Sequence, residues 1–242
     1  MARLASKSSK INLRSIWKVR YIRRRRCVCK ATWQGKHVYA KLFFGEEAAQ
    51  YALRDVCGVE ALQHANLLTP AILKQSKLSQ HEGYAVVFEA ITPSENAEVV
   101  LAAANEFVRV ELAHQLVQLV AQHHEAGLIQ TDMHLKNFLI QHGAIHTIDG
   151  DGIRHFKKLP FKKSYANLCQ LLSKFDVLMI DGYLSALLET YTNARSWQQS
   201  LNVDVVKVKI NAARQKTTAA YADKKVFRAC TDVVVSKAKH EF

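Results

Sequence analysis

Two short stretches, Gln130-Thr131-Asp132-Met133-His134-Leu135-Lys136-Asn137 and Ile148-Asp149-Gly150-Asp151-Gly152, bring together the side chains best suited to chemistry. Between them lie two apolar runs, Asn137-Phe138-Leu139-Ile140 and Ile145-His146-Thr147-Ile148, with Gly143 in the turn, which is the pattern of a β-hairpin. A hairpin returns its two open ends to within a few ångströms of each other, so Asp132 and Asn137 on one side converge with Asp149 on the other. Mg²⁺ favours one or two protein oxygens completed by substrate phosphates, and Asn137 with one carboxylate supplies that set. The other carboxylate is then available to take a proton from a hydroxyl. Asp151 competes with Asp149 for the metal role.

The elements that must position these groups are legible around them. A hairpin is expected over residues 27–44, turning at Gln34-Gly35. In its second strand Val38, Ala40 and Leu42 share one face, and Tyr39, Lys41 and Phe43 the other. A helix is expected from Glu46 to Leu62, with Glu46 and Glu47 in its first turn, and a buried strand over Tyr84–Phe88. Thr92-Pro93-Ser94 interrupts the pattern. A long helix then runs from Glu106 to Ala126, with Phe107, Val110, Ala113, Val117 and Val120 as its apolar stripe and Gly127 at its C-cap. From Tyr165 to about Arg195 the chain again reads as helix, with Leu168, Leu171, Leu172, Phe175 and Leu178 apolar and an interruption near Gly182. The expected class is α+β, with a strand-rich N-terminal lobe over residues 1–92 and a helical C-terminal lobe over 93–242.

An aspartate followed five positions later by asparagine, then a hairpin leading to a second aspartate, resembles the catalytic and metal-binding loops of the protein-kinase-like superfamily. A lone pair of this kind means little, because carboxylates and amides are common in turns; the order of Lys41, long helix, Asp132, Asn137, hairpin and Asp149 carries the reading. Asp132-x-His134-x-x-Asn137, Val38-Tyr39-Ala40-Lys41-Leu42-Phe43 and Ile148-Asp149-Gly150-Asp151 look most like the bacterial lipopolysaccharide kinases, the Kdo and heptose kinase group, over roughly residues 27–180. The resemblance implies a bilobal kinase-like fold and the cofactors ATP and Mg²⁺. It gives Lys41 the α- and β-phosphates, with Glu60 as its orienting carboxylate, although Glu46 and Glu47 are also near in sequence. Asp132 becomes the proton acceptor, and Asn137 with Asp149 or Asp151 the metal ligands. His134 stands where protein kinases usually have lysine, which points it at the transferred phosphoryl group.

The sequence departs from protein kinases in three ways. Gln130-Thr131-Asp132 replaces His-Arg-Asp, Asp149-Gly150-Asp151-Gly152 replaces Asp-Phe-Gly, and no G-x-G-x-x-G loop precedes Lys41. A degenerate phosphate cover within Trp17–Arg26 is the remaining option. These departures move the expected acceptor from protein towards sugar, and the resemblance implies a sugar hydroxyl of the lipopolysaccharide inner core. Other acceptors and a non-catalytic pseudokinase are the alternatives.

Charge and composition narrow the setting. Residues 1–45 hold 13 Lys and Arg and no acid, whereas the remainder carries 21 bases against 21 acids. The excess therefore forms one N-terminal footprint for a polyanion, with a solubilising tail as the plainer reading. A phosphorylated glycolipid acceptor and an anionic membrane surface fit this block. Nucleic acid fits less well, because no reading helix or set of interleaved stacking aromatics accompanies it beyond Trp17, Tyr21 and Trp33. The five scattered cysteines, Cys27, Cys29, Cys57, Cys169 and Cys230, suit a reduced compartment. With no apolar stretch of about 20 residues and no signal-like N-terminus, the expected location is cytoplasmic, peripheral at the inner face of the cytoplasmic membrane. His123 and His124 are adjacent, about 100° apart on a helix, and so make no zinc pair; one is expected to pack and the other to be solvated.

Overall fold

The computed structural model describes residues 13–22, 25–78, 83–195 and 201–216. The first twelve residues of the basic block, and Cys230, lie outside them. In chain order the elements are β1 (Arg14–Ile22), β2 (Arg26–Trp33), β3 (Lys36–Phe44), α1 (Ala48–His64), β4 (Ile72–Lys77), β5 (Gly83–Glu89), β6 (Glu95–Asn96), α2 (Ala97–Ala103) and α3 (Glu106–Glu125). There follow β7 (Leu128–Gln130), β8 (Phe138–Gln141), β9 (Ala144–Thr147), β10 (Ile153–His155), α4 (Phe161–Leu172), α5 (Val177–Ala194) and α6 (203–216).

Alternation and turn chemistry build the first lobe. Gln34 and Gly35 both take positive φ, 50° and 76°, which twists the β2–β3 turn to match its strands. The antiparallel sheet runs β1-β2-β3-β5-β4. β3 is therefore an interior strand, with Lys41 opposite Val28 on one side and Val86 on the other. Val38 and Ala40 are buried against Ala31 and Val87. On the other face Phe43 packs against Ala48, Ala52, Val56 and Val59 of α1. That helix begins at Ala48, later than expected, and neither Glu46 nor Glu47 lies in its first turn.

The second lobe packs around α3. Asn105 caps it by accepting from the Val108 N–H at 3.0 Å, and Gly127 ends it at φ +74°. Its buried stripe is Leu112, Ala113, Leu116, Val117, Val120 and Ala121. Phe107, expected in that stripe, is 80 % exposed, because the first turn projects past the packed body and burial starts a turn later. Each fully buried leucine here adds roughly 1.5–3 kcal/mol relative to exposure. The interruption expected near Gly182 falls instead at residues 173–176, where Asp176 starts α5 by accepting from the Met179 N–H at 2.8 Å. Gly182 lies inside α5 with open space around it, and Leu178 faces solvent. α6 buries Val206 and Ile210 and is tied down by Arg214, whose Nη2 donates to the Phe175 carbonyl at 2.8 Å.

Both neighbouring histidines of α3 are buried, contrary to the expectation that one is solvated. His123 Nε2 meets Thr147 Oγ1 at 3.1 Å, while His124 bridges Tyr191 Oη at 2.7 Å and Asn167 Oδ1 at 3.0 Å. β9 covers the His123 side of α3 and α4 and α5 the His124 side, so the 100° between the two rings carries neither into water. Burial holds His123 down to about 3 and His124 to about 4, so both are neutral at pH 7.

Candidate active site

Lys41 projects from β3 into the space between the lobes, where its Nζ lies 2.9 Å from both oxygens of Asp55 and 2.9 Å from Asp149 Oδ1. The Phe88 ring covers it at 5.3 Å. Burial draws the ammonium pKa down, but the two carboxylates outweigh it and the net shift is upward. Asp55 is pushed up from the ordinary carboxylate range by its own burial, which Lys41 opposes.

The carboxylate of α1 that pairs with Lys41 is thus Asp55 and not Glu60. Five residues separate them, about 140° around α1 at 3.6 residues per turn. Glu60 is exposed and lines a different cavity with Cys57, His64 and His155. A sequence signal was present: Ala48, Ala52, Asp55, Val56, Val59 and Leu62 form the buried stripe of α1, and a carboxylate on such a stripe has to be paired. Glu46 and Glu47 are likewise not the partner; Glu47 instead accepts from Tyr51 Oη at 2.7 Å.

Asp149 takes a left-handed conformation, φ 68° and ψ 67°, at the start of a tight turn over Gly150–Gly152. This turn sits directly on α1. A Cβ on Gly58 would lie 2.0 Å from the Gly150 carbonyl oxygen, and one on Gly150 would lie 2.2 Å from the Asp55 carbonyl oxygen. Glycine at both positions is what lets the helix carrying Asp55 touch the turn carrying Asp149. The turn also offers its Asp151 N–H to Asp55 Oδ1 at 3.0 Å. The Asp151 side chain goes to cations, Arg54 Nε and, at 3.6 Å, Arg26 Nη1, which also stands 3.7 Å from Asp149. In the sequence alone Arg26 figures only as the end of the expected phosphate cover Trp17–Arg26, with no partner assigned to it.

The Asp132 loop is stitched to this turn. β7 pairs with β10, and Thr131 donates both its N–H and its hydroxyl to the Gly152 carbonyl at 2.8 Å. Gln130 is buried; its amide donates to the carbonyls of Ile148 at 3.2 Å and Asp149 at 3.4 Å, and its Oε1 accepts from the Asp132 N–H at 3.3 Å. Asn167 holds the Gln130 carbonyl from α4 at 2.9 Å, continuing the chain through His124 to Tyr191. Asn137 donates its amide to the Asp132 carbonyl at 2.8 Å, a bond that does not use the amide oxygen. His134 Nε2 lies 3.1 Å from Asp132 Oδ1, and both side chains are about half exposed.

A cavity of about 290 Å³ runs between the lobes, with Lys41, Asp149 and Asn137 at its polar end and Val28, Tyr39 and Leu139 among its walls. One carboxylate and one amide oxygen beside Lys41 and Arg26 match Mg²⁺ carried by nucleotide phosphates. Of the expected phosphate cover, β1 and Arg26 border this cavity, while positions 23 and 24 lie outside the described residues.

No protein-family model matches the sequence, and no curated protein matches it. Solved structures do. WaaP in complex with acyl carrier protein aligns over 88 % of this chain and 89 % of its own, at 14 % identity and a TM-score of 0.60. The PAN3 pseudokinase of Neurospora crassa aligns over 93 % of this chain and 70 % of its own, at 12 % identity and a TM-score of 0.47. The chain has a bilobal, protein-kinase-like α+β fold, a small β-rich lobe followed by a helical one, shared along nearly its whole described length with WaaP.

Proposed function

We propose that this chain is an ATP- and Mg²⁺-dependent kinase that transfers the γ-phosphoryl group to a sugar hydroxyl of the lipopolysaccharide inner core, heptose or Kdo. The observation that carries the reading is the Lys41 ammonium fixed 2.9 Å from both Asp55 and Asp149 at the polar end of the interlobe cavity that Asn137 also lines. Lys41 and Arg26 hold the nucleotide phosphates, and Asn137 with Asp149 holds the metal. Asp151, engaged by Arg54 and Arg26, braces the turn. Bound Mg²⁺ supplies charge neutralisation on the phosphates. Asp132, half exposed, accepts the acceptor hydroxyl's proton as that oxygen bonds to the γ-phosphorus and the bond to the β-phosphate oxygen breaks, releasing ADP. His134 stands beside Asp132 to stabilise the charge on the transferred group.

The acceptor class rests on the motif resemblance and on the fold shared with WaaP. The N-terminal basic block supports a peripheral position at the inner face of the cytoplasmic membrane. No helix among the described residues is long and apolar enough to cross a membrane. Because WaaP was solved with acyl carrier protein, that carrier is a candidate partner. The missing glycine-rich loop favours one rival reading, a pseudokinase that binds nucleotide without transfer.

The test uses the purified full chain with radiolabelled ATP, Mg²⁺ and a lipopolysaccharide core acceptor, alongside Asp132→Asn and Asp149→Ala. Acceptor-dependent label transfer that both substitutions abolish is expected. Absence of both transfer and Mg²⁺-dependent ATP binding refutes the kinase reading, and ATP binding without transfer favours the pseudokinase.

A further inference from the structure

A second cavity, of about 490 Å³, opens on the other side of the Asp132 loop, between that loop, α4 and α6. Asp132 and His134 form one wall, and Lys174, Lys209 and Lys216 line the rest. Asp132 is the sole carboxylate among its lining residues. None of the three lysines has an ion-pair partner among the described residues, although Lys207, two positions from Lys209, pairs with Asp181 at 3.2 Å. Lys209 is an exposed residue, yet its ammonium lies 5.6 Å from the centre of the Tyr165 ring and lowers the otherwise burial-raised Cys169 thiol, which places it beside the groove. Three like charges facing one concavity repel one another, at a cost that a bound anion removes. Arg214, bonded to the carbonyls of Ser173 and Phe175, fixes α6 so that the charges stay opposed.

We infer that this groove is the acceptor site and that Lys174, Lys209 and Lys216 bind a phosphate group the acceptor already carries, presenting a neighbouring hydroxyl to Asp132. The inference rests on the kinase reading. It assigns the second cavity to the acceptor, since the first holds the residues read as the nucleotide's and Asp132 lines the second.

The experiment is calorimetric titration of the full chain with a phosphorylated core oligosaccharide, with the same oligosaccharide dephosphorylated, and with inorganic phosphate as competitor. Saturable MgATP binding, measured separately, tests the kinase reading on its own. The phosphorylated form is expected to bind at least tenfold tighter than its dephosphorylated twin, and the triple substitution Lys174→Gln, Lys209→Gln, Lys216→Gln to lose most of that difference, about tenfold or more for three partly exposed charge contacts. MgATP affinity should stay unchanged in the triple variant. Inorganic phosphate should displace the oligosaccharide only at tenfold or higher excess. Equal binding of the two oligosaccharides, absence of binding included, overturns the inference. So does a triple variant that binds like the wild type, which would locate the anion site in the N-terminal basic block. Displacement by equimolar inorganic phosphate also overturns it, by showing a site for the free anion.

Discussion

Gly58→Ala is the most direct test of whether the close contact between α1 and the Asp149 turn sets the site's geometry. The added Cβ would stand 2.0 Å from the Gly150 carbonyl oxygen, 2.6 Å from its carbon and 2.9 Å from its Cα, and all three are backbone atoms that no rotamer change moves aside. Real Cβ contacts essentially never fall under 3.0 Å, so helix and turn must part by about 1 Å. Asp55 lies three residues before Gly58 on α1, and Asp149 directly precedes Gly150, so the separation acts on the 2.9 Å contacts that both make with Lys41. A misplacement of about 1 Å costs on the order of 10²-fold in turnover. Overpacking adds about 1–3 kcal/mol of destabilisation, only partly offset by the better helix propensity of alanine. The assay is kcat for phosphoryl transfer and MgATP affinity, read beside a thermal melt. Gly182→Ala is the control, since nothing lies within 4 Å of its added Cβ. A folded Gly58→Ala with wild-type kcat would refute the argument that these two glycines hold the lysine and the turn in register.

Gly182→Ala itself should raise stability by about 0.5–1 kcal/mol, a gain of a few degrees in Tm by calorimetry. Asp55→Ala should cost about 3–5 kcal/mol in chemical denaturation and abolish transfer, because it leaves a buried ammonium half-paired, whereas Glu60→Ala should stay within about 0.5 kcal/mol of the wild type. Gln130→Ala strips the carbonyls of Ile148 and Asp149 of a donor in a buried site; a cost of about 1–3 kcal/mol and a fall in kcat larger than any change in ATP affinity are expected from melts and steady-state kinetics. Acid should unfold the protein through His123 and His124. Their folded pKa values, about 3 and about 4, lie below the unfolded 6.5, so stability is full above pH 6.5 and is lost as pH falls towards 4. At pH 5 each histidine accounts for roughly 2 kcal/mol, and a denaturant midpoint unchanged between pH 7 and pH 5 would contradict this.

What the sequence disclosed and what it withheld divide along physical lines. Strand alternation around Lys41, the Gln34-Gly35 and His142-Gly143 turns, and the convergence of Asp132, Asn137 and Asp149 through a hairpin are all local, set by backbone sterics over a few residues. Helix ends depended on caps: Asn105 and Asp176 fix where α3 and α5 begin, and reading Gly182 as a breaker missed that an isolated helical glycine with space around it costs only about 1 kcal/mol. The partner of Lys41 is a long-range fact, which analogy placed at Glu60 when the stripe of α1 already contained Asp55. That both His123 and His124 are buried, and not one alone, escaped notice because it depends on which elements flank α3, something no spacing within that helix encodes.

The glycines and Gln130 also explain how a turn reading Asp-Gly-Asp-Gly is held against α1 and the Asp132 loop without an Asp-Phe-Gly or His-Arg-Asp motif. Without a large side chain after Asp149, the turn presses backbone to backbone on α1 at Gly58 and Gly150. A Cβ on Gly152 would strike Gln130 Oε1 at 2.0 Å, so the third contact is backbone against amide. Gln130 reaches both the Asp149 carbonyl and the Asp132 N–H, which makes one neutral side chain the joint between the Asp132 loop and the Asp149 turn. An amide at this joint carries no titrating proton, so the coupling of the two loops holds at any pH at which the lobe is folded. A histidine substituted there could donate to one loop and accept from the other only in its neutral form, so Gln130→His should couple the loops with a pH dependence that the wild type lacks.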